Sequence, residues 1–96
     1  MKFISEKVNR DYIFSLGKDV VRDEYIMAII IPWIAWYEQY FNISKEEFDL
    51  YDENLTEFMN IFNECKRLGT KSTRFLCSEQ VKENTLQQLE RLREGR

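Results

Sequence analysis

Histidine is missing from this 96-residue chain, and glycine (three), cysteine (two) and proline (one) are scarce. Without histidine the chain has no side chain whose ordinary titration falls near neutral pH, so neither a relay for a nucleophile nor general acid–base work is expected. The glycines are too dispersed for a phosphate-cradling loop. Cys65 and Cys77 cannot staple a small secreted scaffold, and with no histidine beside them they cannot complete a zinc site. Cys65 falls at a core position, so free thiols in a reducing cytoplasm are expected rather than a disulfide between the two. No membrane span is expected: the longest apolar run, 26–37, holds twelve residues with Pro32 inside it, short of the ~18 needed to cross a bilayer. The amino terminus turns polar at Ser5, unlike a secretory signal, and the mature chain is expected to begin at Met1.

Bases are the other shortage, and a local one. Between Asp23 and Glu64 a single lysine, Lys45, faces ten carboxylates, a charge of −9, whereas the flanks hold thirteen bases and seven acids, or +6. The net charge of −3 hides this polarity. Ten of the fourteen aromatic residues lie in the same acidic stretch. Such a distribution steers a cationic partner and repels nucleic acid, although Lys66, Arg67, Lys71, Arg74, Arg91, Arg93 and Arg96 supply basic groups outside it.

The chain reads as one all-α domain over 1–96, a bundle of about four helices. Ser5 caps a first helix that buries Val8, Tyr12 and Leu16 at i, i+4, i+8 and stops at Gly17. Asp19 opens a second, running to about Asn42 and kinked or broken at Pro32; the Ile29–Ile31 triplet is the one feature that favours a strand instead. A third helix, 44–68, carries the strongest signal. Ser44 and Glu47 have capping-box spacing, Ile43 and Phe48 form the apolar staple, and Phe48, Tyr51, Leu55, Phe58, Phe62 and Cys65 recur every three or four residues before Gly69. Ser78 caps a last helix with a thin core face of Val81, Thr85 or Leu86, Leu89 and Leu92 that frays toward Arg96.

On a wheel of ~100° per residue the third helix sets Asp49, Glu53, Glu57, Asn60 and Glu64 opposite its core stripe. Acids one turn apart repel, so a lysine-free row is either a solubilising face or a lure for a basic protein. Leu50, Ile61 and Leu68 form a smaller apolar seam beside it, available to a further helix or to a partner. Trp33, Trp36, Tyr37, Tyr40 and Phe41 hold more ring surface than one helix face can hide, and some must be exposed or lie against a neighbouring chain. Asp49, Asp52 and Glu53 have helical rather than loop spacing, so neither a metal nor any other cofactor is expected, and the same carboxylates lack the apolar surroundings that would split their pKa values for hydrolysis.

The segment Ile43, Ser44, Lys45, Glu46, Glu47, Phe48 resembles the I-S-x-x-E-F start of a helix in colicin D-type immunity proteins, and the acidic character is similar to that of immunity proteins of bacteriocin and contact-dependent inhibition systems. The resemblance implies a non-enzymatic, cytoplasmic inhibitor that covers the basic substrate site of a nuclease toxin. The partner-binding residues would then be Glu46, Glu47, Asp49, Glu53, Glu57 and Glu64, with Leu50, Ile61, Tyr37 and Tyr40 as apolar anchors. The alternative is a structural or homo-oligomeric helical module in which the aromatics and the apolar seam pack between identical chains.

Overall fold

A computed structural model describes residues 1–95 and overturns the all-α expectation: this is an α+β domain, not a helical bundle. Four strands come first, β1 (Phe3–Asn9), β2 (Phe14–Asp19), β3 (Glu24–Ile31) and β4 (Tyr37–Asn42). Helices α1 (Lys45–Glu53) and α2 (Leu55–Leu68) follow, then β5 (Phe75–Ser78) and helix α3 (Leu86–Arg93). The strands form one antiparallel sheet in the order β1-β2-β3-β4-β5.

The first two of the four segments expected as helices are hairpins. Leu16 is buried, but Val8 and Tyr12 are exposed: a turn separates them, and Val8 pairs with Ser15, which puts it on the face of the sheet opposite Leu16. Alternation decides: Phe14 and Leu16 point to one face of β2, Ser15 and Gly17 to the other. Gly17 does not stop a helix. It lies inside β2 where a Cβ would stand 1.9 Å from the Ile4 carbonyl oxygen, beside the β-bulge that interrupts β1 between Ser5 and Lys7. Pro32 neither kinks nor divides a helix; it opens the loop joining β3 to β4, where its missing N–H costs no ladder bond.

The third segment is helical but not continuous. Ser44 caps α1 with a complete capping box, and Gly69, at φ +55°, closes α2, as its sequence position predicts. Asn54 breaks the rod in between. Its backbone N–H donates to Leu50 O to end α1, and its side chain accepts from Glu57 N to begin α2. Leu55 is consequently exposed, whereas Phe58, Phe62 and Cys65 are buried. The last helix is capped by Thr85, not Ser78, which ends β5; Val81 is exposed and Leu92 buried. The expected fraying end, Arg96, lies outside the described residues.

The sheet has a core on each face. Phe14, Leu16, Met27, Ile29, Phe41 and Phe75 meet Phe58, Phe62 and Cys65 of α2 on one. On the other, α3 sets Leu92 against Met1, Ile26, Ala28, Tyr40 and Cys77. Cys65 and Cys77 therefore belong to opposite cores and are both free; burial pushes each thiol up to about 11. No helix of the described residues is long and apolar enough to cross a membrane.

Candidate interaction surface

Breaking the rod at Asn54 dissolves the single acidic row, and the chain's own bases claim part of it. Glu47 is drawn into α1's capping box and is gripped by both terminal nitrogens of Arg74, at 2.8 and 2.5 Å. The Arg74 guanidinium holds the Glu47 carboxyl below its usual range. Lys45 pairs with Asp49 at 2.8 Å and Lys7 with Asp52 at 2.6 Å. Lys7 also stands 3.7 Å from the centre of the Phe48 ring, which ties α1 to β1. Glu46, Glu53, Glu57 and Glu64 are exposed and take part in no ion pair among the described residues.

The expected apolar anchors sit inside the domain. Leu50 and Ile61 are half-buried against the larger core, so the seam they begin is filled by the chain itself. Tyr37 is half-buried and donates to Glu83 at 3.1 Å; burial and that contact raise its hydroxyl above the ordinary range. Tyr40 is buried and donates to Glu38 at 2.7 Å, and burial, with Glu38, pushes its titration far upward. Two of the bases on the carboxyl-terminal flank are also consumed: Arg74 by Glu47, and Arg91 by the buried Asp19 (3.1 Å) and by Glu24 (2.7 Å).

The exposed apolar surface gathers elsewhere, at the β3–β4 loop. Trp33 is 66% exposed, Ile34 95% and Trp36 64%, so three large apolar side chains within four residues face outward. They adjoin the half of the sheet that α3 leaves uncovered. α3 crosses the Asp19–Glu24 end of its face, as the contacts of Arg91 and Leu92 require. The other end, toward the hairpin turns, is an open groove of about 550 Å³ walled by Phe3, Val8, Ile13, Ile30 and Trp36. On the far side of Trp36 a shallower depression is bounded by Tyr37, Glu38 and Glu79. The Glu38 N–H donates to the Glu79 carboxylate at 2.7 Å, which keeps two acids side by side with no cation paired to either among the described residues.

Ile13 adds a conformational signature. It ends the β1–β2 turn at φ +58°, in the left-handed region that β-branched residues rarely adopt. The signal missed in the sequence is composition plus punctuation: an apolar run interrupted by proline, with both tryptophans after it, describes a hairpin tip as well as a core helix. No group of acidic and cysteine side chains among the described residues is arranged to hold a metal ion. No protein-family model, curated protein or solved structure matches the chain.

Proposed function

We propose that this chain works by binding another protein, and that its contact surface is the β3–β4 loop together with the open half of the sheet beside it. The observation that carries this reading is the exposure of Trp33, Ile34 and Trp36 next to an apolar groove. A monomer gains nothing by leaving two tryptophans in water, whereas tryptophan is the residue most enriched among the few that dominate binding energy. A bilayer interface is the rival use of such a loop. Residues 31–42 contain Glu38 and no lysine or arginine, the opposite of the basic flanks that bind an apolar tip to anionic lipid.

The test compares the wild-type chain with the triple variant Trp33→Ser, Ile34→Ser, Trp36→Ser, both immobilised and exposed to an extract of the native host. These side chains are largely exposed, so the variant keeps the thermal unfolding of the wild type. A specific partner held by the wild type and lost by the variant supports the reading; a partner held equally by both removes it. A blue shift of tryptophan fluorescence on mixing with phosphatidylglycerol vesicles reassigns the loop to a membrane.

Glu46, Glu53, Glu57 and Glu64 favour a second reading in which the partner is a basic enzyme, such as a nuclease toxin, whose substrate site the chain covers. Charge reversal of Glu53, Glu57 and Glu64 to lysine then slows association severalfold at low salt, with the difference fading as salt rises. Equal rates for the two proteins at every salt concentration eliminate the helical acids as a docking face.

A further inference from the structure

The groove carries a charge at each end. Arg10, just past β1, lines one end and Glu38, in β4, the other, and neither is in an ion pair among the described residues. The row between them is apolar: Ile30 N–H donates to Ile13 O, and Ile30 is the cross-strand partner of Glu38. Arg10, Ile13, Ile30 and Glu38 thus cross four adjacent strands, a span of about 14 Å at the ordinary strand spacing. Glu79 reinforces the acidic end beyond Trp36. Resting on the protein-binding reading above, we infer that the occupant is an extended segment of another protein with a basic side chain and an acidic one flanking a large apolar one. At about 3.4 Å per residue the two charges stand four positions apart, so all three side chains point the same way.

Two further observations bear on this choice. Ile13, which lines the groove, is the β-branched residue held at φ +58°, and strain of this kind gathers at ligand clamps. A second copy of this chain fits the pattern poorly. Setting Arg10 of one copy over Glu38 of another requires a two-fold axis parallel to the strands, which sets each α3, lying across the other end of the same face, against its neighbour's α3 and holds the two grooves apart.

The probe is the pentapeptide acetyl-Arg-Ser-Leu-Ser-Glu-amide, titrated into isotope-labelled protein and followed by amide and indole chemical shifts. Shifts are expected at Ile13, Ile30 and the Trp36 indole, with binding about tenfold tighter than that of the neutral control acetyl-Gln-Ser-Leu-Ser-Gln-amide. Arg10→Gln and Glu38→Gln should each remove most of the advantage; Arg10 is exposed, and glutamine at 38 still accepts from Tyr40. Equal binding of the two peptides, or no shift along the row, overturns the inference. If capture of a protein still depends on Trp33, Ile34 and Trp36, that result removes the charge pattern alone and leaves the surface standing. Sedimentation showing a dimer that shields Trp36 assigns the groove to a second copy and also overturns it.

Discussion

Ile13 is the residue at which fold and binding surface conflict. A left-handed backbone costs an L-residue about 1–2 kcal/mol, most severely with a branched Cβ, and a turn chosen for stability alone would place glycine or asparagine there. The side chain instead lines the groove. Ile13→Gly is therefore expected to hold or raise stability, by up to about 1 kcal/mol after the loss of partial burial, while weakening capture of the partner. Thermal unfolding read beside binding decides it: a variant that loses both stability and binding shows that Ile13 is simply part of the core. Glu47 is the reverse case. Its place in a capping box was legible from the S-x-x-E spacing, but its capture by Arg74, twenty-seven residues away, was not, because an ion pair depends on which loops the fold brings together.

Among the elements, periodicity decided well where a segment folds on itself and poorly where it needs a partner. Ser44, Glu47 and Gly69 act within one or two helical turns, so both ends of the 44–68 segment were readable. The break at Asn54 had a local signal as well: Asn54 and Glu57 stand at capping distance, and that N-x-x-E spacing lay hidden inside a run of apolar residues that kept helical phase. Removing it should cost stability. Asn54→Ala takes away the side-chain acceptor of the Glu57 N–H, an expected loss of about 1 kcal/mol in denaturant unfolding. A loss below about 0.3 kcal/mol would mean that the backbone bond to Leu50 alone separates the helices. The hairpins were misread for a physical reason. Val8, Tyr12 and Leu16 keep helical spacing across the β1–β2 turn although it puts Val8 and Leu16 on opposite faces of the sheet, and neither turn contains the Asn-Gly or Asp-Gly pair that announces a hairpin.

For the molecule as a whole, the joint between α3 and the sheet is an ion network. Arg91, itself buried, spans Asp19 of β2 and Glu24 of β3, and the Met1 amino group caps the end of the same helix through the carbonyls of Arg91, Leu92 and Glu94. Asp19 is fully buried, so losing Arg91 strands a charge where water cannot reach it. Arg91→Met is expected to cost about 3–5 kcal/mol, a large share of what a domain of this size has. Adding Asp19→Asn should restore part of it in urea unfolding, and a single variant as stable as wild type would show that this end of the sheet is hydrated. By itself the sequence determined the acidic, aromatic middle, the two capped ends of the 44–68 segment and a surplus of rings too large for one face to hide. Strand pairing, the neutralisation of Glu47 and Asp52, and the groove beside Trp36 were decided only by the tertiary structure. Hydrogen bonds between strands and ion pairs between loops join residues far apart in the chain, and no local period records which partner each will meet.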